Sequence, residues 1–251
     1  MSQADKARRF KALHIPGTPL VLYNIWDAGS AKTVASAGAQ ALATGSWSVA
    51  AAQGYGDGEA IPLDFALQII VRITQNTDLP VSVDFEGGYA TDPSELAANI
   101  TRVIAAGAIG INFEDQIVGG QGLHPITEQV QRIKAIRQAA EASGVPLFIN
   151  ARTDVFLKTQ TNQAALLDEA LARQTAYAEA GADGFFIPGL GDETLIGQIC
   201  QASTLPVNVM MLGSLTSLPT VARAGAARAS FGPGPYRTAQ EELKARAAKL
   251  F

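Results

Sequence analysis

Short apolar stretches recur along the whole chain, and each is introduced by one of two local signals. The first signal is a proline followed by an apolar residue, and proline suits the start of a strand because its missing N–H costs no ladder bond there. The second signal is an Ala-Gly-Ala triplet, in which glycine supplies the left-handed residue that closes a helix. Sorted by position, the two signals alternate and mark eight strand starts: Pro19, Gly38, Pro80, Gly107, Pro146, Gly181, Pro206 and Gly225.

Amphipathic helical patterns lie between these strand starts. Asp92 followed by Pro93 offers a side-chain cap and then a proline at the first helical position, and residues 1–14 predict an amphipathic helix. Eight strand-then-helix units predict an α/β fold, specifically a (β/α)8 TIM barrel that forms a single domain over residues 1–251. A doubly wound open sheet is the alternative, but the count of eight and the uniform composition favour the barrel.

Polar and apolar residues alternate toward the carboxyl ends of the predicted strands. Side chains two apart on a strand share a face, so each strand directs its polar set toward the barrel axis and its apolar set toward the helices. Catalytic groups of such barrels lie at the carboxyl ends of the strands. The inward set predicted by this alternation is Ser82, Asp84, Glu86, Asn112, Glu114, Asn150, Arg152, Asp154 and Asn208.

Three carboxylates of the inward set, Asp84, Glu86 and Glu114, are expected to meet at one mouth of the barrel. Crowded carboxylates repel one another and do not all stay ionised unless a cation is present. An oxygen-only cluster suits Mg²⁺ or Mn²⁺ rather than zinc, with one carboxylate bound directly and the others through water. Arg152 offers a planar fork for a substrate carboxylate or phosphonate. The alternative is an internal salt-bridge network around Arg152 that only closes the barrel.

Composition narrows the class of protein further. Of the 251 residues, 47% are hydrophobic and 17% are charged, which indicates a large buried core rather than disorder. The net charge of -4, without a basic stripe, argues against nucleic acid as a partner. The single cysteine, Cys200, excludes a disulfide framework, and no apolar run approaches the ~20 residues of a membrane span. We therefore expect a cytoplasmic protein with no signal peptide and no membrane contact.

The motifs around these polar residues resemble those of the isocitrate lyase / phosphoenolpyruvate mutase superfamily over most of the chain. VDFEGGYA is similar to that family's carboxylate-rich metal motif, with Glu86 in place of its second aspartate, and GINFEDQ and NARTDVF resemble its fourth- and fifth-strand motifs. TGSWSVAAAQGYGD resembles its second-strand loop, and LPVNVM resembles its seventh-strand segment. The resemblance implies Mg²⁺-dependent chemistry on a small 2-oxo acid, in which an enolate is stabilised while a C–C or P–C bond breaks or forms.

The resemblance also implies roles for individual residues. Asp84 is the implied metal ligand, while Glu86 and Glu114 hold waters of the metal. Asp57, in the second-strand loop, is a candidate for a catalytic gating role, with an ordinary exposed loop residue as the alternative. Backbone donors at Gly45 and Ser46 in the same loop could complete an oxyanion site. The implied substrate-binding residues are Thr44, Gly45, Ser46, Arg152 and Asn208.

The loop after the fourth strand departs from the family pattern. The lyases carry a K-R-C-G-H motif there, whose cysteine is the catalytic acid, and the mutases carry lysine and asparagine, whereas this chain reads DQIVGGQGLHPITEQ. His124 is the polar candidate to replace the missing catalytic acid, and the alternative is a turn residue before Pro125. Cys200 lies on a predicted helix far from the mouth and is interpreted as a small buried hydrophobe, and His14 is expected to pack structurally.

Three functions remain open at this point. The first is a Mg²⁺-dependent C–C lyase or decarboxylase acting on a small 2-oxo or 2-hydroxy dicarboxylate, since loss of CO₂ needs a stabilised enolate more than an acid from a lid. The second is mutase or hydrolase chemistry at the P–C bond of phosphonopyruvate or phosphoenolpyruvate. The third is a barrel that binds a carboxylate without turnover. The resemblance also implies a homo-oligomer, a dimer or a tetramer, commonly with the final helix exchanged between subunits.

Overall fold

The computed structural model describes residues 1–157 and 162–251, and a parallel β-sheet lies at its centre. Its strands are β1 (Leu20–Leu22), β2 (Leu42–Ala43), β3 (Val81–Asp84), β4 (Gly110–Glu114), β5 (Phe148–Arg152), β6 (Gly184–Phe186), β7 (Val207–Met210) and β8 (Arg228–Ser230). They are hydrogen-bonded in the order β1-β8-β7-β6-β5-β4-β3-β2. Ile25 and Thr44, just beyond β1 and β2, form a parallel bridge that brings the two edges together. The predicted (β/α)8 TIM barrel is confirmed as a nearly closed barrel.

Helices surround the barrel and connect its strands. Within the described residues none of them is both long enough and apolar enough to cross a lipid bilayer. A short 3₁₀-helix, Gln163–Leu166, precedes the helix that follows β5. The α-helices are α1 (Gln3–Ala12), α2 (Ala28–Ser36), α3 (Ser46–Ala52), α4 (Leu63–Thr74), α5 (Pro93–Ala105), α6 (Ile126–Ala142), α7 (Leu167–Glu179), α8 (Glu193–Ala202), α9 (Leu218–Arg223) and α10 (Gly234–Ala247).

The local signals in the sequence mark the elements as predicted. β3 begins directly after Pro80, and Asp92 caps α5 by accepting hydrogen bonds from the backbone N–H groups of Ser94 and Glu95. The glycines of the four Ala-Gly-Ala triplets have φ values of 98°, 94°, 104° and 93°. Glycine adopts this left-handed conformation at little cost because it has no Cβ. Each triplet therefore ends one helix and turns the chain toward the next strand.

The alternation along the strands separates an apolar outer layer from a polar interior. Val83, Ile111 and Ile149 are at most 3% exposed and belong to the main core between strands and helices. Inside the barrel, Nδ2 of Asn150 donates to Oδ1 of Asn112 at 2.9 Å, which confirms the inward direction predicted for both side chains. Burial of an aliphatic side chain such as Ile111 in the outer layer stabilises the fold by roughly 1.5–3 kcal/mol.

The N-terminal helix closes the amino end of the barrel. Phe10 of α1 packs edge-on against Phe148, at the start of β5, and the ring of His14 stacks on Phe148 with centroids 4.2 Å apart. Arg228 is fully buried over the ring of Phe10, and its Nη2 donates to Oδ1 of Asn112 at 3.1 Å. The carboxyl end of the barrel is therefore the end at which a substrate can reach the polar interior.

Candidate active site

Asp84 is the last residue of β3, and its carboxylate is held by three hydrogen-bond donors. Oδ2 accepts from the backbone N–H of Ser46 at 3.0 Å and from the Ser46 hydroxyl at 2.9 Å. Oδ1 accepts from Nδ2 of Asn112 at 3.2 Å. A carboxylate has about four lone-pair positions, so about one remains open for a cation. The start of α3 and the interior of β4 thus fix the orientation of Asp84.

The backbone donors predicted to form an oxyanion site have other partners, and the structure corrects that prediction. The N–H of Gly45 donates to the carbonyl oxygen of Ile25 at 3.2 Å, and the N–H of Ser46 is used by Asp84. The hydroxyl of Thr44 accepts from the backbone N–H of Asp84 at 2.9 Å. These contacts arise because α3 begins at Ser46, so its first N–H group points at the carboxylate. In this arrangement the second-strand loop positions Asp84.

Glu86 lies beyond the end of β3, which corrects the assumption that strand alternation sets its direction. Its φ is +50°, in the left-handed region, and its carboxylate oxygen Oε2 accepts from the N–H of Glu59 at 2.8 Å. The side chain is nevertheless buried and close to Asp84. Burial, and secondly the charge of Asp84, raise the pKa of Glu86 to about 8. The two carboxylates therefore share the mouth as predicted, although by a different backbone route.

Arg152, at the end of β5, lies between two carboxylates. Its Nη1 is 2.8 Å from Oε2 of Glu114, while Nε and Nη2 donate to the two oxygens of Asp154 at 2.6 and 2.8 Å. Burial raises the pKa of Glu114 well above its usual value, although the Arg152 charge opposes this. Burial alone would lower the pKa of Arg152, but Glu114 and Asp154 raise it. Three of the five guanidinium N–H groups are used here, which leaves one hydrogen on Nη1 and one on Nη2.

Asp57 lies in the exposed loop between α3 and α4. Although the residue as a whole is exposed, its carboxyl group is close enough to the mouth for partial burial, and secondly the Asp84 charge, to raise its pKa. Arg152 acts on Asp57 in the opposite direction. The structure therefore brings Asp57 within electrostatic range of Asp84 and Arg152 while the residue itself stays in an exposed loop.

The mouth carries more negative than positive charge, and its donor set fits a hard divalent cation. Within the described residues, no three His, Cys, Asp or Glu side chains are placed to hold a metal ion together. A cation at this mouth would therefore take one carboxylate directly and reach the others through water, as Mg²⁺ commonly does. Burial is the main cause of the raised pKa values of these carboxyls, and the charge of Asp84 raises them further. Arg152 interacts electrostatically with Asp57, Asp84, Glu114 and Asp154, and Glu86 in turn interacts with Glu114.

His124 makes the contacts of a buried turn residue. The backbone N–H of His124 donates to the carbonyl oxygen of Asp115 at 2.8 Å, and its backbone carbonyl accepts from Nη1 of Arg173 at 3.0 Å. Its Nδ1 is 2.7 Å from Oε1 of Glu128. Among the contacts found in the described part of the chain, none joins His124 to Asp84, so the geometry favours the turn alternative over the replacement acid.

The remaining predicted residues lie inside the barrel or away from it. Asn208 points inward, where its Oδ1 accepts from the Ser230 hydroxyl at 3.2 Å. Cys200 is on α8 and packs partly buried against the main core, and burial raises the pKa of its thiol to about 11. Its position away from the mouth agrees with the small-hydrophobe interpretation.

Sequence reasoning missed several residues that hold the site together. Glu59 contacts Glu86 and, through Oε1, the N–H of Tyr89 at 2.8 Å. Asp115 is fully buried, and its Oδ1 accepts from the N–H of Asp154 at 3.0 Å. Asp115 follows Glu114 directly, so by strand alternation it falls on the outer face, and it was not among the residues predicted for the site. An acidic residue on an otherwise apolar outer face was the signal that could have identified it.

A solved structure and a family model match almost the whole chain. The model of the phosphoenolpyruvate phosphomutase family matches residues 10–251. A provisionally assigned phosphonomutase from Burkholderia cenocepacia J2315 superposes with a TM-score of 0.96 and 48% sequence identity, over 100% of both chains.

Two relatives of named activity also match. The 2-methylisocitrate lyase of Escherichia coli is 30% identical over 213 residues, which cover 82% of this chain and 70% of that protein. An oxaloacetate decarboxylase of Pseudomonas savastanoi is 28% identical over 223 residues, which cover 85% of this chain and 73% of that protein. The resemblance to the isocitrate lyase / phosphoenolpyruvate mutase superfamily is confirmed, and the chain belongs to the phosphoenolpyruvate phosphomutase family.

Proposed function

We propose that this chain is a Mg²⁺-dependent lyase or decarboxylase that acts on a small 2-oxo or 2-hydroxy dicarboxylate. The observation that carries the proposal is the meeting of Asp84, Glu86 and Glu114 with Arg152 at the carboxyl end of the barrel. Oxygen ligands for a cation thus lie beside a fork for a carboxylate. The named activities of the lyase and decarboxylase relatives support the substrate class.

Each residue of the mouth has a separate task in this proposal. Mg²⁺ (or Mn²⁺), when bound, supplies positive charge that stabilises negative charge developing on a substrate oxygen. Asp84 is the direct ligand because its orientation is fixed by Ser46 and Asn112. Glu86 and Glu114 hold waters around the cation. Arg152 holds a substrate carboxylate with its remaining Nη1 and Nη2 hydrogens.

The carboxylates beside Arg152 and the loop at Asp57 complete the arrangement. Asp154 and Glu114 fix the plane of the guanidinium, so the fork meets a substrate carboxylate without first losing side-chain freedom. Asp57 is proposed as a gating residue, since its loop is exposed and its carboxyl group already interacts with Asp84. Closing this loop over the mouth would exclude water from the reacting atoms.

P–C bond chemistry is the second candidate function. The structure that is 48% identical to this chain is provisionally assigned as a phosphonomutase, and Arg152 would bind a phosphonate as readily as a carboxylate. The chain lacks the lysine and asparagine that the mutases carry after the fourth strand. A barrel that binds a carboxylate without turnover is the third candidate, because the chain lacks the K-R-C-G-H motif of the lyases and His124 makes the contacts of a turn residue.

Calorimetric binding of oxalate, which mimics the enolate of pyruvate, tests the cation site. Wild-type protein would be titrated in Mg²⁺ and in EDTA, together with Asp84→Ala. Asp64→Ala is the matched control, since Asp64 is an exposed aspartate paired with Arg102 on the surface. We expect binding that requires both Mg²⁺ and Asp84 and is unchanged in the control. Failure of wild-type protein to bind oxalate in Mg²⁺ would refute the proposed cation site.

A substrate panel then separates the three candidates. Turnover of oxaloacetate or of a 2-methylisocitrate-type substrate supports C–C chemistry, and turnover of phosphonopyruvate supports P–C chemistry instead. Oxalate binding without turnover of any member of the panel supports the binding barrel.

We also propose that the chain forms a homo-oligomer in which the final helix packs on a neighbouring copy. Residues 240–246 of α10 are all exposed, and Pro235 is the buried residue of that helix. Val21 of β1 and Tyr23 just after it are 39% and 44% exposed, so the outer face of this strand lacks the cover that a barrel strand needs. Light scattering of wild type and Tyr23→Glu tests this, with a smaller species expected for the variant. A monomeric wild-type protein would contradict the proposal.

A further inference from the structure

The turn between β3 and α5 contains an unusual concentration of left-handed backbone. The φ values are +50° at Glu86, +86° at Gly88 and +58° at Tyr89. Residues other than glycine are strained in the left-handed backbone conformation, and they keep it only where the surrounding structure holds them. The position of the Glu86 carboxylate therefore depends on whatever holds this turn.

Arg132 reaches the carbonyl side of the turn from α6 and is 1% exposed. Its Nη2 donates to the carbonyl oxygens of Gly87 at 2.5 Å and Ala90 at 3.1 Å. Its Nη1 donates to Oε1 of Gln129 at 2.7 Å, and the guanidinium lies 4.7 Å from the centroid of the Phe113 ring. The guanidinium is thus held in one plane while it bridges both ends of the turn.

The same segment of α6 also contacts the end of β4. Nε2 of Gln129 donates to the carbonyl oxygen of Glu114 at 3.0 Å. Arg132 and Gln129 together therefore connect the turn that carries Glu86 with the strand that carries Glu114. The N–H side of the turn is held separately by Glu59, whose Oε1 accepts from Tyr89.

We infer that Arg132 is a positioning residue for the cation site, because it holds the Gly87–Ala90 turn in the conformation that keeps Glu86 beside Asp84. The inference rests on the proposed function only in requiring that a divalent cation binds at this mouth. Arg132 acts through two backbone carbonyls, so its role is independent of which substrate is used. Loss of its fork would let the strained residues relax and would move Glu86 away from the cation.

Arg137 offers a matched control on the same helix. It also donates to backbone carbonyls, those of Leu147 at 3.1 Å and Gly181 at 2.8 Å, and it pairs with Asp183. These partners precede β5 and β6, so they lie at the amino end of the barrel. Replacing Arg137 with methionine removes a comparable set of hydrogen bonds from the opposite end of the fold.

The experiment measures Mn²⁺ affinity by the electron paramagnetic resonance of free Mn²⁺, without substrate. We expect Arg132→Met to raise the Kd by about tenfold or more, the range typical of residues that support metal ligands. Arg132→Lys is expected to give an intermediate Kd, since an ammonium keeps the charge but cannot bridge the same two carbonyls. Arg137→Met is expected to lower the thermal midpoint but to bind Mn²⁺ as the wild type does.

The outcomes separate this inference from the proposed function. Absence of Mn²⁺ binding by wild-type protein would overturn the proposed function and the inference with it. Binding by the wild type and equally tight binding by folded Arg132→Met would overturn the inference alone. An equal rise of the Mn²⁺ Kd in Arg132→Met and in Arg137→Met would also overturn the inference, because a general loss of stability would then explain the effect. If Arg132→Met does not fold, Arg132→Lys decides, and an unchanged Kd overturns the inference.

Discussion

Replacing His14 with glutamine is expected to weaken the dependence of the protein's stability on acid pH. The Nδ1 atom of His14 is 2.8 Å from the carbonyl oxygen of Phe10, and because a carbonyl only accepts, Nδ1 carries the proton. The other ring nitrogen, Nε2, is buried with no partner among the described residues. Burial, and secondly the charge of Arg228, lower the pKa of His14 to about 3.

The sign of the effect follows from the state that takes up the proton first. The ordinary pKa of a histidine in an unfolded chain is 6.5, so below that pH the unfolded chain is protonated while the folded protein keeps His14 neutral. Protonation of His14 in the unfolded chain therefore costs no stability above pH 6.5, and it lowers the free energy of unfolding progressively as the pH decreases from 6.5 toward 3. The linkage relation gives a loss of about 2 kcal/mol at pH 5 from this one group.

Urea denaturation followed by circular dichroism, at pH 7.5 and at pH 5, measures the effect in wild type and in His14→Gln. Burial raises the pKa values of the Glu86 and Glu114 carboxyl groups, so these groups take up protons more readily in the folded state and favour folding on acidification. The difference between the two pH values must therefore be compared between the two proteins, which cancels the contribution of the carboxyls. We expect acidification to be less destabilising in the variant by about 2 kcal/mol.

Glutamine loses the stacking on Phe148, so His14→Gln will also be less stable at pH 7.5. That loss is common to both pH values and does not enter the comparison. If acidification lowers the free energy of unfolding of the two proteins equally, within about 0.5 kcal/mol, then His14 is not held neutral in the fold and the reasoning is refuted.

Three further substitutions test the packing that supports the site, each by the free energy of unfolding in urea. Gly88→Ala places a Cβ against Leu96 at a φ of +86°, and a loss of about 1–3 kcal/mol is expected. Asp92→Ala removes the cap of α5 and should cost about 1 kcal/mol, and an unchanged value would show that the cap is not formed. Asp115→Ala leaves Arg173 buried with one carboxylate fewer, and a loss of about 3 kcal/mol is expected, whereas a loss below about 1 kcal/mol would contradict the buried pair.

The strands and their faces could be predicted from local patterns alone. Proline before β3 and glycine before β4 act within a few residues, and the two-residue period of a strand needs no knowledge of the rest of the chain. Alternation placed Asp84, Asn112 and Asn150 on one face, and the hydrogen bonds among these three side chains confirm it. The family resemblance rested on the same strand-end motifs, and it is confirmed too.

The arrangement within the mouth was decided only by the tertiary structure. Glu86 is itself the first left-handed residue of the turn after β3, so its direction is set by Glu59, 27 residues earlier in the chain, and by Arg132, which contacts the adjacent Gly87 from 45 residues later. The donors to Asp84 likewise come from Ser46, on a neighbouring part of the barrel. Strand periodicity is a local property that the sequence alone determines. The partners of a side chain at a loop exist only after barrel closure has brought distant segments together, and for that reason no local pattern reveals them.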